Sequence, residues 1–130
     1  MLTHIDPRQL DKVWPVAAPL LAHAVAENLG ESDLAQLRAQ IAYGDVHLLV
    51  WEGEDRLGVA VVEFKQYPNF RSLHVMYAAG EDVGAALEEL KPWADARGAS
   101  KIECWCGDAQ ARLFKRSGFR EAYKVMRVDV

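Results

Sequence analysis

The stretch "RSLHVMYAAGEDVGAALEELKPWADARGASKIECWCG", Arg71 to Gly107, decides the fold. It opens with a β-rich run, turns at Gly80, Glu81 and Asp82, and continues from about Gly84 to Arg97 with Leu87, Leu90, Trp93 and Ala94 at helical spacing. Gly98 stops that helix, and "SKIECWCG" reads as a second strand. The connection is too long for a hairpin and has a helix's apolar period. Leu73–Ala78 is therefore expected to run parallel to Lys101–Cys106 through a right-handed crossover. Pro92, about eight residues into the helix, removes the bond to the Glu88 carbonyl and predicts a kink or a fresh start there.

Before this unit, "VHLLVWEGEDRLGVAVVEFKQYP" carries two β-rich runs, Val46–Glu52 and Leu57–Tyr67, joined by Gly53 to Arg56 as a hairpin. Two helices precede them. The first has Asp6 as cap, Pro7 in the first turn, and Leu10, Val13, Val16 or Ala17, Leu20 or Leu21 and Ala24 at helical spacing, with a bend or restart expected at Pro15 or Pro19. The second is capped by Ser32, carries Leu34, Leu37 and Ile41, and stops at Gly44. After the crossover, "DAQARLFKRSGFREAYKVMRVDV" predicts a helix capped by Asp108 and stopped at Gly118, then a closing strand from about Glu121 to Val130. The sum is an α/β (α+β) chain with a mixed central sheet and helices on both faces, read as one domain over 1–130.

The 130 residues are about half apolar and a quarter charged, with a net charge of −4. That balance offers no electrostatic footprint for nucleic acid or an anionic membrane surface. The apolar run Val13–Val25, interrupted by Pro15, Pro19 and His23, is too short to span a bilayer, and no basic-then-apolar leader opens the chain. A soluble, cytoplasmic protein is the expectation. Cys104 and Cys106 lie two apart on a strand, with Cα atoms about 7 Å apart and so at or beyond disulfide reach, which reads as reduced thiols. With no CxxC and no HxxxH among His4, His23, His47 and His74, no metal site is read.

Two helices, a hairpin, a strand, a helix, a parallel strand, a helix and a closing strand is the element order of the GNAT superfamily of acyl-CoA-dependent N-acetyltransferases. "ALEELKPWADARGASKIECW" resembles that family's central helix and next strand, and "ARLFKRSGFREAYKVMRV" resembles its last helix, "GF" turn and final strand. The resemblance implies a GNAT-like fold from Val46 onward and an acetyl-CoA site at the start of the central helix, in a turn the family writes Q/RxxGxG/A. Val83, Gly84 and Ala85 fall at the end of that turn. Glu81 and Asp82 replace its glycine-rich part, and no Gln or Arg precedes them. A carboxylate this close opposes a pyrophosphate by about a kcal/mol even near the surface. On this reading the two acids cap their own helix.

Alignment on "LFKRSGF" puts Phe114 where the family places a tyrosine that protonates the departing thiolate, and Gly107 where it places an asparagine. By position, Glu63 and His74 are the candidate general bases, although solvated strand-face residues are commoner at such places. "KQYPNFRS" puts Tyr67, Phe70 and Arg71 around a proline turn as a candidate protein-contact surface. Two functions follow. Because the turn and the acid position depart from the pattern together, the sequence favours a degenerate, non-catalytic binding or assembly module; small GNAT-like chains of this kind occur among phage virion and morphogenesis proteins, by analogy alone, which implies a virion-associated location. The alternative is a divergent acyl-CoA-dependent N-acetyltransferase.

Overall fold

The computed structural model describes residues 1–130. Its centre is a five-stranded sheet in the order β1 (Leu2–His4), β2 (His47–Gly53), β3 (Arg56–Gln66), β4 (Arg71–Gly80) and β5 (Lys101–Cys104). All neighbours are antiparallel except β4 and β5, which run parallel. That parallel pair is the one expected from Arg71–Gly107, although β5 ends at Cys104 rather than Cys106.

Strand alternation divides the core. Leu49, Trp51, Ala60, Val62, Leu73 and Val75 face α3 (Val83–Asp95) and α4 (Asp108–Lys115), where they meet Leu87, Leu90, Ala94 and Phe114. Leu48, Val50, Val59, Val61 and Tyr77 face the opposite layer, α1 (Leu10–Ala26) and α2 (Leu34–Tyr43), against Leu10, Ala17, Leu21, Leu37 and Ile41. This period-2 sorting onto two helical layers is what a sheet covered on both faces requires. In α3 the buried face is the one expected, with Ala86 added and Trp93 half-buried.

Several boundaries differ from the sequence reading. The helix α1 runs on through Pro15 and Pro19 without restarting, and α3 continues past Pro92 to Asp95 rather than breaking there. Pro92 falls in the last turn, so the bond it removes, to the Glu88 carbonyl, is one near the end of the helix. Ser32 does not cap α2; Asp33 does, in a reciprocal capping box with Gln36, while the Ser32 hydroxyl pairs with the Tyr77 phenol at 2.8 Å. At α4 the cap position is Gly107, and Asp108 is already helical. The hairpin loop is two residues, Glu54 and Asp55, with Asp55 in the left-handed region at φ +54°.

The largest correction lies at the C-terminal end. Glu121–Val130, expected as a closing strand, joins no sheet, and from Arg120 onward no backbone group makes a backbone hydrogen bond. Tyr123, Val125, Met126, Val128 and Val130 are exposed. Neither face of this segment is cleanly apolar, and its sequence therefore did not fix a partner. No helix is long and apolar enough to cross a membrane.

Candidate active site

β4 pairs with β5 over four residues only, Ser72–Val75 against Lys101–Cys104. Directly beyond, the β3–β4 register slips: Val61 faces Tyr77 and Val62 faces Val75, leaving Met76 as the extra residue of a bulge. A bulge bends and twists its strand, and here it falls level with Cys104, where β5 ends. Tyr77–Gly80 therefore keep the β3 ladder on one side, and Met76–Gly80 have no strand partner on the other.

The free edge leads into the start of α3, which is held from behind. Trp51 lies over Gly58, whose missing side chain leaves the space the indole fills, and its Nε1–H donates to the Glu81 carbonyl at 2.7 Å. Gly80, at φ +113°, packs against the backbone of Leu57 and Gly58, and the Glu81 N–H donates to the Leu57 carbonyl at 3.2 Å. A side chain at either glycine would push the turn off the sheet.

The acids of this turn do not cap α3, contrary to the sequence reading. Asp82 stands at the cap position in the left-handed region, φ +57°, but its side chain makes no cap bond; it pairs instead with Arg56 Nη1 at 2.7 Å. The N–H groups of Val83, Gly84 and Ala85 have no protein acceptor, the first intrahelical bond at this end being Ala86 to the Asp82 carbonyl. Open space surrounds Gly84. Three unpaired donors at the positive end of a helix dipole, with the neighbouring carboxylate drawn off by a guanidinium, form an environment suited to an anion.

At the other end of this edge the two base candidates are in contact. Glu63 and His74 sit opposite each other on β3 and β4, and His74 Nδ1 donates to Glu63 Oε1 at 3.0 Å. His74 is buried under Trp105, ring centroids 4.7 Å apart, whereas Glu63 is about 29% exposed and also lies 3.5 Å from Lys65 Nζ. Glu63 is thus the reachable carboxylate, and His74 orients it. From His74 to Gly80 is about 20 Å along the strand.

Phe114, at the position where the resembling family carries a proton donor, is buried and stacks edge-on against Phe119 at 5.0 Å. Tyr67, Phe70 and Arg71 sit together at the β3–β4 turn, but each is engaged within the molecule: Tyr67 and Phe70 rings stand 4.9 Å apart, the Tyr67 phenol donates to Glu103 at 2.8 Å, and Arg71 stacks 4.0 Å over Phe64. The bond to Glu103 raises the Tyr67 pKa. Cys104 and Cys106 are free thiols with sulfurs 3.9 Å apart; burial, and then the adjacent Cys106, push Cys104 up to about 12. No group of three or more His, Cys, Asp or Glu side chains is placed to hold a metal ion.

Sequence reasoning missed β1, the Trp51–Glu81 bond and the Arg56–Asp82 pair. The last two were accessible in principle, because a two-residue hairpin at Glu54–Asp55 sets Trp51 opposite Gly58, an aromatic-over-glycine pair.

No protein-family model and no curated protein matches the sequence. Solved structures do match across its whole length. A probable acetyltransferase superposes with TM-score 0.73 at 14% identity, covering 100% of this chain and 97% of that one. An aminoglycoside acetyltransferase from an uncultured soil metagenomic sample, in complex with sisomicin, gives 0.72 at 9% identity over 100% and 94%. A predicted acetyltransferase from Clostridium acetobutylicum, with acetyl-CoA, gives 0.66 at 13% identity over 99% and 96%. The chain has the fold of the GNAT-type acetyltransferases.

Proposed function

We propose that this chain is a divergent acyl-CoA-dependent N-acetyltransferase. The observation that carries the reading is that β4 outruns β5, pairing with it only as far as Val75 beside the Met76 bulge, which leaves a strand edge running to three unpaired N–H groups at the start of α3. Those groups, on Val83, Gly84 and Ala85, fit a pyrophosphate, and the free N–H and C=O groups of Met76–Gly80 fit the amide-bearing arm of the same molecule. Acetyl-CoA, when bound, supplies an activated thioester. The chain supplies the rest: Glu63, oriented by His74, accepts the proton of the incoming amine, and solvent protonates the departing thiolate because Phe114 has no proton to give. Arg56 answers the objection raised by the acidic turn, since it neutralises Asp82 where the resembling family would place a Gln or Arg nearby.

A second reading, a non-catalytic binding or assembly module on the same scaffold, is favoured by one observation: Phe114 is part of the core. Two assays separate the readings. Acetyl-CoA at a hundredfold over its dissociation constant adds about 2.7 kcal/mol of apparent stability, several degrees in melting temperature. Release of free CoA thiol in the presence of a panel of primary amines reports transfer. The enzyme reading expects both, with thiol release lost in Glu63→Gln while the melting shift remains. A melting shift without thiol release supports the module; neither signal refutes acyl-CoA recognition.

A further inference from the structure

The far end of α3, about 20 Å from its first turn, gathers aromatic rings and cations on the side of the sheet that this helix covers. Four rings form a closed circuit there. His4 lies 5.1 Å from His47 and 5.8 Å from Trp93, and Phe64 lies 5.7 Å from His47 and 6.0 Å from Trp93. A guanidinium covers each of the two larger rings, with Arg71 Cζ 4.0 Å from the Phe64 centroid and Arg97 Cζ 3.9 Å from that of Trp93. Stacking occupies the face of a guanidinium and leaves its N–H edge for an acceptor. Arg97 gives one N–H to the Trp93 carbonyl at 2.9 Å, whereas the Arg71 Nε–H is buried and has no acceptor.

No carboxylate balances these charges. Arg8, Arg38, Arg56 and Arg127 each pair with an acid, but Arg71 and Arg97 do not. Asp6, the acid that bears on His4, is taken up by Arg8 at 2.8 Å. Both imidazoles are held below their ordinary pKa. Burial is the main cause, followed for His47 by Arg71 and Arg97, and for His4 by His47 and then Arg97. The guanidiniums therefore act on the same ring, and in a chain of net charge −4 they make a patch of positive potential.

We propose that Arg71 and Arg97, with the rings of His47 and His4 beside them, bind a phosphate group. Two guanidiniums match the charge of a phosphate dianion, their forked N–H edges match its oxygens, and the imidazoles supply further donors. Arg97 and His4 are exposed while Arg71 and His47 are half-buried, so the ligand reaches the patch from solvent. The length of α3 separates this patch from Val83, Gly84 and Ala85, and the proposal does not depend on acyl-CoA recognition.

The test is a titration of the full, isotopically labelled chain with inorganic phosphate at constant ionic strength, followed through the arginine Nε–H and histidine ring resonances. Saturable shifts at Arg71, Arg97 and His47 are expected, with none from acetate. Arg97→Gln, at an exposed position, should weaken binding about tenfold or more by removing a charged hydrogen-bond donor. Gly84→Glu should leave it unchanged, which separates this site from the start of α3. Ribose 5-phosphate is the second probe: equal affinity assigns the site to the phosphate group alone, tighter binding to a phosphorylated metabolite, and both uphold the proposal. No saturation with either probe at tens of millimolar, an equal response to acetate, or binding that survives in both Arg71→Gln and Arg97→Gln would overturn it.

Discussion

Gly58→Ala is the substitution that most sharply probes how the α3 turn is held. A methyl group at residue 58 would lie inside the Trp51 indole, so the ring must leave. Trp51 is only 5% exposed, belongs to the core on the α3 side, and donates to the Glu81 carbonyl. Overpacking at such a site costs about 1–3 kcal/mol, and the lost hydrogen bond about 1 more. A total near 3 kcal/mol, divided by an unfolding entropy of about 0.27 kcal/mol/K for 130 residues, is a fall of about 11 °C in melting temperature. Gly53→Ala, in the same hairpin but with open space around it, is the control and should move the melting temperature by no more than about 2 °C. Differential scanning calorimetry on the two variants reads both numbers. If Gly58→Ala melts within about 2 °C of the parent, Trp51 does not occupy that space and the support assigned to the Glu81 turn is wrong.

Leu90→Ala empties an enclosed site, Leu90 being 4% exposed, and should cost about 2–5 kcal/mol by chemical denaturation; a loss below about half a kcal/mol would mean that this face of α3 is not packed. His4 and His47, rings 5.1 Å apart, both have lowered pKa values, chiefly from burial, with each other's charge next for His4 and Arg71 and Arg97 for His47. The folded state thus favours the neutral rings, so their contribution to stability is full above about pH 6.5 and is lost as the pH falls through the lowered values. A melting temperature that drops between pH 7 and pH 5, and drops less in His47→Gln, is the expected result. Cys106 is exposed and Cys104 is held up to about 12, so iodoacetamide at pH 8 should alkylate Cys106 first and leave Cys104 intact until the chain unfolds. Mass spectrometry of the peptide containing both decides the order.

The parallel pair and its crossover were legible because Leu87, Leu90, Trp93 and Ala94 repeat at a helix's period between two β-rich runs, and no other pairing fits so long a connection. The closing strand was not, for a physical reason. Composition can make residues 121–130 strand-like, but strand formation needs a neighbour, and no local signal names one. Capping was misread for a related cause. Ser32 and Asp33 are equally good caps on sequence grounds, and the choice fell to Asp33 because Tyr77, distant in sequence, engages Ser32. At the site, position alone suggested Glu63 and His74, and the antiparallel β3–β4 register explains why they meet. The reading of Glu81 and Asp82 failed because Arg56 is brought to Asp82 only by the hairpin, 26 residues away in the chain.

The most direct test of acyl-CoA recognition is a titration of the isotopically labelled chain with acetyl-CoA, followed through its backbone amide resonances. The account predicts saturable shifts at Val83, Gly84 and Ala85 and along Met76–Gly80, the groups left unpaired at the start of α3 and on the free edge of β4. It also predicts their loss in Gly84→Glu, which sets a carboxylate among those donors. Amides that do not move at millimolar acetyl-CoA, or shifts that persist unchanged in Gly84→Glu, would contradict it.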